Sequence, residues 1–179
     1  MQNLLSPIRV WYGRGASYLS YLQSPLLLAI RLYWGFQFVQ DGWGKLTHLS
    51  KVAEFFTTLA LPMPVATAFM VGAIELIGGI LFALGIGSRL VSLALFLNMT
   101  MAYLAVPDDR TNFFHMFSKP EDFYGATPYT YWFAALLILI LGPGVFAIDW
   151  FLARNWTVSE PAVKTEPTVS SDPKRTVVR

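Results

Sequence analysis

The chain has 179 residues, 55% of them hydrophobic and 16% aromatic, with only 13% charged and a formal net charge of +2. A soluble domain of this size carries about 25% charged residues, so the composition points to an integral membrane protein with length for one bundle. With no cysteine, the chain itself holds no disulfide, thiolate metal site, iron–sulfur cluster or thiol relay, and its scattered basic residues argue against a nucleic-acid partner.

Residues 1–25 lack the continuous apolar core and cleavage site of a signal peptide. They mix Arg9 and Arg14 with Trp11, Tyr12, Tyr18 and Tyr21, a blend suited to a segment lying on a membrane surface. Pro25 then reads as a helix start. Leu26 to Leu46 is the first expected span, and it carries Arg31, Asp41 and Lys45. At about 100° per residue, Arg31, Trp34, Phe38, Asp41, Gly42 and Lys45 share one face, which should point inward. Asp41 and Lys45 are also spaced to pair along the helix.

Ser50 to Leu61 reads as a short amphipathic helix in the membrane interface, capped by Ser50, with Val52, Phe55, Phe56, Leu59 and Ala60 on its apolar side. Pro62 and Pro64 end it and open the second span, Met63 to Ile86. That span holds one ionisable residue, Glu75, near its centre. A carboxylate at the bilayer midplane costs roughly 2.5–3.5 kcal/mol on insertion scales, so it must be protonated, paired, or turned towards a protein interior or wet cavity. Gly72 and Gly79 lie on the same face as Glu75, with Gly78 beside them, and permit close helix approach.

A tight turn at Gly85–Arg89 makes the third span, Leu90 to Val106, antiparallel to the second, with Asn98 as its central polar residue. Asp108 to Pro128 reads as a long aromatic loop that folds back onto the bundle mouth or dips into the interface. Tyr129 to Ile148 is the fourth span, ended or kinked by Gly142-Pro143-Gly144. Residues 151–179 form a C-terminal tail, in which Thr157 to Arg179 lacks the apolar residues needed to fold. The fold class is thus an all-α integral membrane protein. It is a four-transmembrane-helix antiparallel bundle over residues 26–150, with a short interfacial helix between the first two spans. Lys and Arg placement weakly favours both termini in the cytoplasm.

Several segments resemble the DoxX family of small four-helix bacterial membrane proteins. Ile30-Arg31-Leu32 with Gly35, Phe38, Gly42 and Lys45 resembles the family's opening helix. Phe55-Phe56 through Leu59-Ala60-Leu61-Pro62 resembles its connecting helix. Ile74-Glu75-Leu76-Ile77-Gly78-Gly79, then Leu84-Gly85 and Ser88-Arg89, resembles its second helix and turn. The resemblance implies a protein of the bacterial cytoplasmic membrane. It also implies a place in a quinone-linked oxidoreductase system, in sulfur-compound oxidation or oxidative-stress defence. The chain would be a non-catalytic subunit without a redox centre of its own.

Glu75 is the candidate proton donor or acceptor, and Arg31, Trp34, Phe38, Asp41, Lys45 and Asn98 are candidate ligand-binding residues. A quinone needs a dry slot and one or two polar groups at its carbonyls. The expected partners are the lipid bilayer, a redox subunit and further copies of the chain. No covalent cofactor and no metal are expected, since His48 and His115 lie outside the apolar spans. Two other readings stand beside this one. The charges could line a path for a small solute, or Arg31, Asp41, Lys45 and Glu75 could pair with each other and merely fix helix register in a scaffold protein.

Overall fold

The computed structural model describes the backbone of residues 5–155 and the side chains of residues 22–154. The side chains proposed to lie on the membrane surface before Leu22, and the tail beyond Asn155, fall outside the described residues. The described chain forms eight helices: α1 (Leu5–Thr47), α2 (Leu49–Thr58), α3 (Pro64–Leu84), α4 (Ser88–Ala105), α5 (Pro107–Phe114), α6 (Pro120–Gly125), α7 (Tyr129–Leu141) and α8 (Ile148–Asn155).

Three boundaries differ from the sequence expectation. First, α1 does not start at Pro25 but runs through it for 43 residues. Proline removes one backbone donor, and good helix formers on both sides, Leu22-Gln23 and Leu26-Leu27-Leu28, carry the helix past that loss. At 1.5 Å per residue α1 is about 65 Å long, roughly twice a bilayer's hydrocarbon thickness. Second, the expected loop at Asp108 to Pro128 folds into α5 and α6, each with a proline in its first turn and acidic residues that suit a helix N-terminus. Third, the fourth expected span, α7, ends at Leu141 and does not reach Ile148; the stop falls at the expected Gly142-Pro143-Gly144 break, where Gly142 adopts φ +80°. The helix thus has 13 residues, fewer than a span requires.

Among the described residues, α3 and α4 are long and apolar enough to cross a membrane. Their outward faces carry Phe69, Ile77, Leu90 and Leu97, all exposed. A continuous surface of this kind suits hydrocarbon and not water. The interior is a cluster of Leu27, Phe38, Phe82, Leu95, Met99, Ala135 and Ile138, contributed by α1, α3, α4 and α7.

The α1–α3 contact is the tightest in the fold, and glycine makes it possible. A Cβ on Gly79 would stand 2.8 Å from the Gly35 carbonyl oxygen, and one on Gly42 would stand 2.7 Å from that of Gly72. Backbone therefore packs on backbone along this seam, as small residues allow in membrane helices. The turn after α3 closes with Gly85 at φ +73°, and the amides of Gly85 and Ile86 both reach the Leu81 carbonyl, at 2.9 and 3.0 Å. This is a glycine helix stop that reverses the chain into α4.

Candidate functional site

The first span's charges divide into two groups at opposite ends of the bundle. Arg31 and Lys45 are fourteen positions apart on α1, which at 1.5 Å per residue separates them by about 21 Å. Of the pairings open among Arg31, Asp41, Lys45 and Glu75, that of Arg31 with Glu75 therefore does not occur.

Glu75, 1% exposed on α3, pairs instead with Lys45 from the end of α1. Its other carboxylate oxygen accepts a hydrogen bond of 3.1 Å from the side-chain amide of Asn98 on α4. The close α1–α3 seam brings Lys45 within reach, since Gly72 lies one turn before Glu75 and faces Lys45 and Leu46. Sequence position placed Glu75, Lys45 and Asn98 on inward faces, and the fold joins all three.

This polar triad lines a cavity of about 450 Å³. Its walls come from the ends of α1 and α2, from α3 and α4, and from the starts of α5 and α7. Phe55, Phe56, Val71, Met99 and Ala102 make it largely apolar, while Asp41, Asp109 and Tyr131 add polar groups. The apolar side of α2 thus faces the cavity. Its N-cap is His48, without a side-chain capping bond, rather than the expected Ser50.

Trp34 and Phe38, expected to line the slot, stand outside the cavity lining. Phe38 is fully buried in the core, with its ring centroid 5.0 Å from that of Tyr131 and 6.2 Å from that of Phe82. Trp34 packs edge-on against Tyr131 at 5.1 Å. Both support the cavity wall from behind. Tyr131 was missed in the sequence because it sits in a helix without charges, where a tyrosine near the end reads as an interface anchor. Asp109 was missed because its segment read as loop.

Arg31 belongs to a second cluster. It is fully buried, and its Nη2 donates to the Phe146 carbonyl oxygen at 2.8 Å, while Nε and Nη1 have no protein partner. Nearby, the two oxygens of Asp149 accept the amides of Gly87 and Ser88 at the start of α4, each at 2.7 Å. The Asp149 amide in turn reaches the Gly85 carbonyl at 3.0 Å. Partial burial works against the Asp149 charge, but the Ser88 and Gly87 amides and the nearby Arg31 outweigh it and hold the carboxyl below its ordinary range. This cluster fastens α8 to the α3–α4 turn.

The α5–α6 segment closes over the cavity end of the bundle. The Tyr103 hydroxyl donates to the Phe123 carbonyl at 2.9 Å, and the Tyr103 and Phe123 rings stack at 5.3 Å. This agrees with the expectation that the aromatic segment folds back onto the bundle. His48 and His115 are exposed, and among the described residues no group of three or more His, Cys, Asp or Glu could hold a metal.

No curated protein and no solved structure matches the chain. A family model, DoxX, matches residues 26–108. Those residues contain α1 from Leu26 onward, α2, α3, α4 and the start of α5, and with them Arg31, Lys45, Glu75, Asn98 and the α1–α3 glycine seam. Over residues 26–108 the chain thus carries a DoxX domain, with every member of the Lys45–Glu75–Asn98 triad inside it.

Proposed function

We propose that this protein is a quinone-binding membrane subunit of an oxidoreductase system, with its ligand in the cavity between α2, α3, α4 and α7. The observation that carries the reading is the cavity's make-up. It has about 450 Å³ of largely apolar space, and the buried Glu75–Lys45–Asn98 triad lines it. Ligand sites commonly enclose about 300–1,000 Å³ and combine apolar walls with a few placed polar groups. The residues fit the ring and first isoprenoid carbons of a quinone. Phe55, Phe56 and Met99 provide apolar surface, the Lys45 ammonium can donate to a carbonyl oxygen, and the Glu75 carboxyl can hold or release a proton at that site.

A quinone supplies two-electron redox chemistry when bound. This chain positions it, keeps water away and handles protons, while a partner subunit brings the electron-transfer centre. In this reading the protein resides in a bacterial cytoplasmic membrane, as the DoxX resemblance implies, with both termini in the cytoplasm, as the placement of Lys and Arg favours.

Solute transport is disfavoured by a specific feature. Phe38, Phe82 and Leu95 are fully buried and occupy the levels of α1, α3 and α4 between the triad and the Arg31 cluster. A wet path joining the two membrane faces would have to cross this apolar layer.

The test is native isolation. The tagged protein is purified in mild detergent from its own membranes, and quinone is extracted and measured together with associated chains. The proposal expects stoichiometric quinone and a redox subunit, with quinone lost in Glu75→Gln and Lys45→Met. Equal quinone in wild type and both variants would contradict it.

A further inference from the structure

The cavity's hydrogen-bonding groups are unevenly divided. Three carboxylates line it, on Asp41, Glu75 and Asp109, against one cation, Lys45. Lys45 is already committed to Glu75, and among the described residues Asp41 and Asp109 have no ion-pair partner. Asn98 is 9% exposed and gives its amide N–H to Glu75, which leaves its carbonyl oxygen as a further acceptor in the lining. The lining hydroxyls of Thr127 and Tyr131 can donate or accept, so the excess lies in charge: three carboxylates against one cation that is already paired.

A quinone and its quinol differ in how they meet that charge. The oxidised ring presents two carbonyl oxygens, which accept hydrogen bonds and carry partial negative charge. The reduced ring presents two hydroxyl groups, which donate. A carboxylate facing a carbonyl oxygen is repulsive and unpaired, while a carboxylate facing a hydroxyl forms a charge-assisted hydrogen bond. Resting on the quinone reading above, we infer that the cavity is selective for the reduced form, the quinol, and that Asp41 and Asp109 set this preference. Glu75 and Asn98 contribute acceptors common to any ligand. Asp41 lies on α1 one turn before Lys45, and Asp109 lies on α5, so the two carboxylates approach the ligand from different elements. The same charge excess disfavours an anionic ligand, because the one lining cation is neutralised.

The preference is testable as a ratio of affinities. The full-length protein in nanodiscs is titrated without oxygen with decylubiquinol and, separately, with decylubiquinone, and binding is read from tryptophan fluorescence. One charge-assisted hydrogen bond gained by the reduced form corresponds to roughly tenfold tighter binding. Wild type is expected to bind decylubiquinol at least about tenfold more tightly than decylubiquinone. Asp41→Asn and Asp109→Asn should each reduce that ratio, with decylubiquinone affinity unchanged or improved. Both carboxylates are at least partly exposed, so neither substitution threatens the fold. Equal affinities in wild type, or a ratio unchanged in both variants, would overturn the selectivity while leaving quinone binding intact. Failure of both ligands to bind saturably would overturn the quinone reading itself, and the selectivity with it.

Discussion

Lys45 and Glu75, thirty positions apart in sequence, form an ion pair whose two ends differ sharply in exposure, 29% for the lysine side chain and 2% for the glutamate. The lysine ammonium can still find water if its partner is lost, and the carboxylate cannot. Lys45→Met should therefore destabilise the protein by about 3–5 kcal/mol, the cost of stranding a buried charge. Glu75→Gln should cost clearly less, and Lys45→Met with Glu75→Gln together should fall well short of the sum of the two single losses. Thermal unfolding of the four proteins in one detergent checks the ordering, and equal losses from the two single variants would contradict it.

The glycine seam gives a second prediction, with its own control. A side chain on Gly42 would run into the Leu76 backbone and the Gly72 carbonyl, while one on Gly44 would meet nothing within 4 Å. Gly42→Ala should cost about 1–3 kcal/mol through forced separation of α1 and α3. Gly44→Ala should be neutral or stabilise by up to about 1 kcal/mol, because alanine is the better helix former. Thermal shifts of opposite sign are the expected result.

Asp149 makes a pH prediction. Its carboxyl is held below the ordinary range in the folded protein, so the folded state binds this proton less readily than the unfolded chain does. The clasp's contribution is fully present above the ordinary aspartate value of about 3.9 and is lost as pH falls through that value towards the lower folded one. Asp149→Asn keeps the side-chain shape but gives up the charge and one of the two acceptors that serve the Gly87 and Ser88 amides. It should cost about 1 kcal/mol at neutral pH, typical of a lost helix cap. The wild-type advantage should vanish at the acid end of a pH series of melting temperatures.

The α5–α6 roof depends on one hydroxyl and a ring stack. Tyr103→Phe keeps the stack on Phe123 and removes the bond to its carbonyl. A loss of about 1 kcal/mol is expected, felt locally. Hydrogen exchange should speed up over residues 107–128 and stay unchanged in α3.

How much of this was legible in the sequence depended on whether local pattern or tertiary contact decided the outcome. Glu75 and Asn98 stood out because a polar residue amid apolar neighbours has few places to go, and both do face the interior. The short helix after α1 was visible from its amphipathic spacing. The partner of Glu75 was not legible. Arg31 and Lys45 lie on the same face of α1, and only the antiparallel register of α3, fixed by the Gly35–Gly79 and Gly42–Gly72 approaches, brings Lys45 to the carboxylate. The partner of Arg31 was harder still, because it is a backbone oxygen on Phe146, which no side-chain pattern encodes. Pro25 misled because a proline that starts a helix and one that a long helix absorbs look the same locally.

The central claim is that a quinone headgroup sits in the cavity beside Glu75, and site-resolved photolabelling tests it most directly. An azido-quinone is crosslinked to the protein in its membrane, and the labelled peptides are sequenced with and without excess unlabelled quinone. Competable labelling on Phe55, Met99 or Tyr131, lost in Glu75→Gln, is the predicted result. Labelling confined to the outward residues Phe69, Ile77 and Leu97, indifferent to competitor and to Glu75→Gln, would contradict it.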